Sequence, residues 1–321
     1  MRGGPLTCDG APTRAAAHWD PVDSPGPTLP PPDDGVGDVL VDWFATAARD
    51  LPWRRPGTDP WAVLVSEVML QQTPVARVEP VWREWLARWP TPAALAAASP
   101  AEVIRAWGKL GYPRRALRLR ETAVALTERH GGVVPADVAA LEALPGIGTY
   151  TARAVACFGH GRPQPVVDTN VRRVVARLVH GRAEAAPARA SDLTDVAALA
   201  PADPGRAVRF SVAVMELGAL VCVARTPRCP ACPVRTSCAW RLAGYPASDG
   251  PPRRVQKFAG TDRQVRGRLL DVLRAAEGPV AAPLLDQAWD DAAQRSRCLD
   301  SLLADGLVEQ TPDGRFALPT G

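Results

Sequence analysis

Along most of this chain, apolar residues recur every three or four positions, the spacing of helices with one face turned inward. The stretch after Thr73-Pro74 shows it clearly: Val75, Val78, Trp82, Trp85, Leu86 and Trp89 share one stripe. That predicts an amphipathic helix whose tryptophans enter the core. Just upstream, Asp59-Pro60 is a helix start, a capping carboxylate followed by proline at the first helical position, and the helix it opens reads WAVLVSEVMLQQ. The helical pattern sets in near Val39 and predicts further helices at 101–107, 114–130, 137–144, 149–158, 170–180, 191–199 and 206–219. No convincing period-two run precedes Leu307, and no repeat of solenoid length is present. Near the end, helices are predicted at 262–276, 281–289 and 291–304. A β-hairpin should follow, made of Leu307-Val308, a Pro312-Asp313-Gly314 turn and Phe316-Ala317-Leu318.

Composition divides the chain. Residues 1–37 carry Pro5, Pro12, Pro21, Pro25, Pro27 and the Pro30-Pro31-Pro32 run, and too little apolar surface to offset their chain entropy, so they are expected to be a disordered tail. A second break at 244–260, with Pro246, Pro251 and Pro252, reads as a linker. It separates an all-α region at 38–243 from a small winged-helix-like module at 261–321. The 321 residues carry 38 Lys+Arg against 34 Asp+Glu, a net charge of +4 that permits an anionic partner without requiring one. No apolar run is long enough to span a bilayer, and the first residues lack the apolar core of a signal peptide, so a cytoplasmic protein is expected. Lys109 and Lys257 are the only lysines, which leaves at most two candidates for any Schiff-base chemistry.

In a reducing compartment the seven cysteines call for something other than disulfides. Cys222, Cys229, Cys232 and Cys238 are spaced C-x6-C-x2-C-x5-C. Four thiolates in so short a loop can wrap an iron–sulfur cluster or a zinc ion. Structural zinc more often uses two C-x2-C knuckles, so the single knuckle with an outlying cysteine on each side ranks a [4Fe-4S] cluster ahead of zinc. Cys8, Cys157 and Cys298 are isolated and read as small buried hydrophobes.

Leu144-Pro145-Gly146-Ile147-Gly148-Thr149-Tyr150-Thr151-Ala152 lies between two helical segments. Gly146 and Gly148 around one apolar residue permit a tight turn whose amides face outward at the start of the next helix, a site suited to a DNA phosphate. Read alone, it is equally a glycine helix stop with an apolar plug. LPGIGTYTA, then VVDTNVRRV, then the cysteine spacing, in that order, resemble the helix-hairpin-helix DNA glycosylases with an iron–sulfur cluster, a family that includes endonuclease III. Leu51-Pro52-Trp53-Arg54 and Ser66-Glu67-Val68-Met69-Leu70-Gln71-Gln72-Thr73 narrow the resemblance to the MutY-type adenine DNA glycosylases. The match covers roughly residues 40–240. It implies a monomeric bacterial repair enzyme, at the nucleoid when bound, that acts on double-stranded DNA carrying an adenine mispair.

Glu67 is the one charged residue in the apolar run from Trp61 to Leu70. Burial raises a carboxyl's pKa, and an acid kept protonated near neutrality can donate a proton. Adenine departs poorly as an anion and well after protonation of a ring nitrogen. The resemblance assigns that donor role to Glu67; the endonuclease III branch is apolar there. Asp168 precedes a helix and suits a cap. The resemblance makes it the carboxylate facing the sugar as an oxocarbenium ion develops, with Asn170 helping to hold it. At Tyr150 the strand-cutting members of the family carry lysine, so the resemblance implies a monofunctional glycosylase that leaves an abasic site.

Adenine in a duplex must be flipped out before it can be excised. Gln72 and Tyr112, the latter in Leu110-Gly111-Tyr112-Pro113, match family positions that wedge into the helix beside the mispair. Arg54 is a further DNA-binding candidate. The pairs Arg114-Arg115 and Arg172-Arg173 are either phosphate contacts or solvated helix faces. The chain departs from the family after Cys238. The domain that usually reads 8-oxoguanine, related to pyrophosphohydrolases of oxidised nucleotides, has no counterpart of its glutamate-rich signature here. Two rivals remain: an endonuclease III-like enzyme for damaged pyrimidines, and a non-catalytic iron–sulfur protein that binds DNA.

Overall fold

The computed structural model describes residues 35–248 and 258–321. Most of the expected tail, most of the expected linker, Cys8 and Lys257 lie outside the described residues. Helix α1 spans Val36–Ala47, so helix begins two residues inside the segment expected to be tail.

A short 3-10 turn, Pro52–Arg54, leads to α2 (Pro60–Leu70), whose first turn is capped by the Asp59 carboxylate accepting from the Trp61 amide at 2.8 Å. Every residue of α2 from Trp61 to Met69 is buried. A helix apolar all round is enclosed on all sides, so a charge on it has no solvent face. Ser66 meets that constraint by donating to the Val63 carbonyl at 2.7 Å. The helix stops at Leu70, so Gln71 and Gln72 lie beyond it, short of the expected end. Gln72 has left-handed backbone, φ +56°, which no α-helix accommodates.

Helix α3 (Val75–Arg88) buries Val78, Trp82 and Trp85, with Trp89 at its end. Trp82 donates to the Ala62 carbonyl at 2.9 Å and Trp61 to the Trp89 carbonyl at 3.2 Å. The tryptophans are core; Trp61 and Trp82 spend their indole donors internally, while the buried Nε1 of Trp85 has no hydrogen-bond partner among the described residues. Helices α4 (Pro92–Ala96), α5 (Pro100–Trp107) and α6 (Arg114–His130) enclose this core, which also takes in Leu119 and Leu126. Helix α7 (Val138–Glu142) leads into the glycine hairpin, and α8 (Thr149–Ala154) leaves it. The single helix expected at 149–158 changes winding after Ala154 to a π turn over Val155–Gly159.

A second core joins α1 to α9 (Thr169–Leu178), α10 (Ser191–Ala198) and α11 (Pro204–Leu220). Helices α9 and α11 cross closely at Gly218: a Cβ there would stand 2.8 Å from the Cβ of Asn170. Only glycine allows that approach. The cysteine loop follows and ends in the short helix α12 (Ala239–Leu242).

After residue 257 come α13 (Asp262–Ala275), α14 (Ala282–Asp286) and α15 (Ala292–Ala304), then β1 (Glu309–Gln310) paired antiparallel with β2 (Phe316–Ala317). The first strand starts two residues later than its apolar pattern suggests, because Leu307 and Val308 are buried in the module's core with Leu269, Leu273 and Leu302. Phe316 also exchanges backbone hydrogen bonds with Val280, at 2.8 and 2.9 Å. Ile104 of α5, fully buried, belongs to the same apolar cluster, so the module is seated on the all-α region through a shared core. No helix among the described residues is long and apolar enough to cross a membrane.

Candidate active site

Glu67, Tyr150, Asp168, Asn170, Arg49 and Arg54 line one cavity of about 950 Å³, together with Leu51, Trp53 and Leu70. Four elements deliver them: α2 carries Glu67, α8 Tyr150, the start of α9 Asp168 and Asn170, and the segment before α2 the two arginines.

Glu67 is 5% exposed. Its carboxyl accepts a hydrogen bond from the Tyr150 hydroxyl at 3.0 Å. Burial lifts its pKa from 4.5 to about 7, against the hydrogen bond from Tyr150 and the charge of Arg54, and with the help of the Asp168 charge. Burial, Glu67 and Asp168 push the Tyr150 hydroxyl well above the ordinary tyrosine value. Tyr150 therefore stays protonated and occupies one carboxyl oxygen, leaving the other to carry the proton.

Asp168 caps α9, accepting from the Val171 amide at 2.7 Å through Oδ1. Its Oδ2 accepts from the Asn170 amide nitrogen at 3.0 Å. Asn170 in turn accepts from Arg173 at 2.8 Å, and Arg173 donates to the carbonyls of Gly218 (2.7 Å) and Cys222 (2.8 Å). The capping and positioning readings of Asp168 are thus both met by one geometry: the cap fixes the carboxylate at the cavity wall.

Behind that wall lies a residue the motifs did not reveal. Glu216, on α11, is completely buried and receives Arg49 through its backbone amide (3.0 Å), Nε (2.7 Å) and Nη2 (2.7 Å), and Arg54 Nη1 at 2.9 Å. Burial opposes its ionisation, yet hydrogen bonds from Arg49 and the charge of Arg54 hold its pKa at about 2. One neighbourhood thus drives two buried carboxyl groups in opposite directions, leaving Glu216 ionised at neutral pH and Glu67 about half protonated there. Arg54 spends its charge here, so it pulls less on Glu67 than a free guanidinium would.

Gln72 and Tyr112 lie on the two turns beside this cavity, and both take left-handed backbone, at φ +56° and +49°. One side chain holds both turns. Arg115 Nη1 donates to the carbonyls of Val68 (2.8 Å), Met69 (3.1 Å) and Gln71 (2.7 Å), and its Nη2 to Thr73 Oγ1 and the Gly111 carbonyl, both at 3.0 Å. Arg115 is consumed inside the protein rather than left for phosphate. Arg114 pairs with Asp305 at 3.1 Å, and Arg172 with Asp192 at 2.7 Å. In the hairpin, Gly146 has φ +76°, and a Cβ there would stand 3.0 Å from the Cβ of Arg118. Ile147 plugs the turn at 6% exposure, while Gly148 is exposed at the start of α8.

Cys222, Cys229, Cys232 and Cys238 line a single small cavity with Arg177, Arg235 and Arg241, and all four are free thiols. Among the described residues no three His, Cys, Asp or Glu side chains are placed to hold one metal ion. Four thiols lining one space in this basic setting are donors that would suit a metal group. Arg177 is 4% exposed and donates to Cys222 Sγ (3.4 Å) and to the carbonyls of Val223 (2.8 Å) and Ala224 (2.9 Å). Cys157 and Cys298 are buried apart from this loop.

A family model described as HhH-GPD superfamily base excision DNA repair protein matches residues 65–195. The chain is 62% identical over 297 residues to the adenine DNA glycosylase of Mycobacterium tuberculosis, covering 92% of this chain and 97% of that protein. It is 64% identical over 280 residues to the adenine DNA glycosylase of Mycolicibacterium smegmatis, covering 87% and 94%. Among solved structures, a trapped covalent intermediate of endonuclease III with DNA superposes with a TM-score of 0.56 at 25% identity, over 65% of this chain and 95% of that one. The chain belongs to the HhH-GPD superfamily and, within it, to the MutY-type adenine DNA glycosylases.

Proposed function

We propose that this protein is a monofunctional DNA glycosylase of base excision repair that hydrolyses the N-glycosidic bond of adenine mispaired with 8-oxoguanine or guanine in double-stranded DNA. The observation that carries this reading is Glu67: a buried carboxyl whose pKa is raised to about 7, in the cavity that also holds Asp168. With the adenine flipped into the cavity, Glu67 gives its proton to a ring nitrogen as the C–N bond breaks, and the bonding electron pair leaves with the now neutral base. Asp168, held by Asn170 and the α9 amide, faces the positive charge that grows on the deoxyribose. Water adds to the sugar carbon and gives its proton to the Glu67 carboxylate, which restores the acid and leaves an abasic site. Gln72 and Tyr112 fill the gap in the duplex, and Gly146 and Gly148 present backbone to a phosphate.

The four cysteines would hold a [4Fe-4S] cluster that supplies no proton or electron to this reaction and braces the arginine-bearing loop. The enzyme would act where bacterial DNA lies, in the cytoplasm. The test is single-turnover release of adenine from duplexes pairing it with 8-oxoguanine, guanine, cytosine and thymine. Fast release opposite the two guanines supports the reading; release only of thymine glycol from a control duplex favours the endonuclease III-like rival.

The same residues speak against an amine mechanism. Tyr150 occupies the position of the family's lysine, and Lys109 is largely exposed beside Asp271 at 3.8 Å. Borohydride added during turnover is therefore expected to trap no covalent complex, and strands should break only after alkali. An appreciable trapped band on a denaturing gel would contradict this.

A further inference from the structure

The C-terminal module reaches Tyr112, on the turn whose Leu110 carbonyl accepts from the cavity-lining Thr73 at 3.2 Å. Helix α13 runs antiparallel beside the chain from α5 to Tyr112. Ala276 accepts from Arg105 at 3.3 Å, Arg274 donates to the Ile104 carbonyl at 3.2 Å, Asp271 stands 3.8 Å from Lys109, and Arg263 reaches Tyr112. The shared apolar core at Ile104 anchors this seating.

Arg263 donates to the Tyr112 hydroxyl, and its guanidinium lies 4.7 Å from the centre of the tyrosine ring. The other cation near the ring, Arg115, is 5.5 Å away and committed to backbone carbonyls. Nearby in the module, Arg266 pairs with Asp305 and Arg297 with Asp262. Arg263 makes no such pair among the described residues, so its charge is free for the ring. Tyr112 is 40% exposed; its backbone is fixed by Arg115 and its side chain by Arg263.

We propose that Arg263 is a positioning residue for opposite-base selection: the C-terminal module sets the tilt and depth of the Tyr112 ring, and through it which base opposite the excised adenine is accepted. This rests on the reading that the chain excises adenine with Tyr112 entering the duplex. A ring free to rotate stacks on any orphaned base, whereas a ring held at its face and at its hydroxyl favours the one partner whose plane matches it. The module thereby contributes selectivity without touching the base itself.

The test uses the full chain and single-turnover excision of adenine opposite 8-oxoguanine, guanine and cytosine. Arg263→Ala is expected to lower the preference for 8-oxoguanine over cytosine by about tenfold, the size of one restrained cation–ring contact with its hydrogen bond. Its melting temperature and its rate opposite cytosine should match those of the unaltered protein. Arg263→Lys, which keeps a cation over the ring, should retain most of the preference. Tyr112→Phe, which loses only the hydroxyl, should lower the preference, and combining it with Arg263→Ala should give less than the product of the two single effects. An Arg263→Ala protein that keeps the full preference, or that slows equally on every duplex, overturns the proposal; the second result marks a plain phosphate contact. If the unaltered protein releases adenine from no duplex, the functional reading itself has failed instead.

Discussion

Glu67→Gln will lower the single-turnover rate of adenine release by about 10²–10⁴-fold while leaving DNA affinity nearly unchanged, because it deletes a proton donor and keeps the shape and the Tyr150 contact. In the unaltered enzyme the rate should be high while Glu67 is protonated and fall as pH rises past about 7. A rate that climbs through pH 8 would remove Glu67 from the donor role. The same raised pKa has a thermodynamic consequence with a definite sign. The folded protein binds the Glu67 proton more tightly than the unfolded chain, so stability falls as pH rises from the ordinary value of 4.5 to the folded value of about 7. The loss is roughly 3 kcal/mol once the group is ionised. Glu67→Gln should escape it and melt higher than the unaltered protein at pH 8, inactive yet more stable. Equal or lower stability there would show that the carboxyl is not desolvated as the structure has it.

Asp168→Asn carries the second large effect, an expected fall in excision of about 10²–10³-fold. Asparagine caps helices about as well as aspartate, so the α9 start should survive and the melting temperature should move little. What is lost is the negative charge opposite the sugar, and with it the stabilisation of the developing cation. The measurement is again single-turnover release, paired with a melting curve. A large drop in melting temperature together with the rate would mean that the residue serves the fold rather than the chemistry.

Much of this site could be read before any coordinates. Glu67 stood out as the one charge in an apolar run, and Asp168 as a cap ahead of a periodic segment; the helix start at Asp59 likewise follows a local rule, because capping is decided within three residues. Glu216 was missed although it carries the same signal as Glu67: it is the lone charge in the run from Phe210 to Val221. What separates the two is long-range. Glu216 is met by Arg49 and Arg54, more than 160 residues earlier in the chain, whereas Glu67 forms no ion pair among the described residues. Local pattern says that a carboxyl is buried; only the tertiary fold says which cations reach it. Arg115 was hidden for a similar reason, since nothing at residue 115 tells that its guanidinium will collect carbonyls from two separate turns. The hairpin's late first strand shows the reverse case, in which apolar Leu307 and Val308 were claimed by the module's core before the sheet began.

The clasp that Arg115 forms across the Gln72 and Tyr112 turns bears on how such a protein surveys a genome. A sliding protein visits an immense number of sound base pairs for each lesion, and a probe that had to order itself at each visit would spend entropy on every one of them. Here both unfavourable backbone conformations are settled when the chain folds, and the protein meets each step of the duplex already shaped. On the proposed function, the deformation needed for interrogation would then fall on the DNA, whose weakened mispairs yield more readily than intact pairs, and the stiffness of two turns would become a filter for damage.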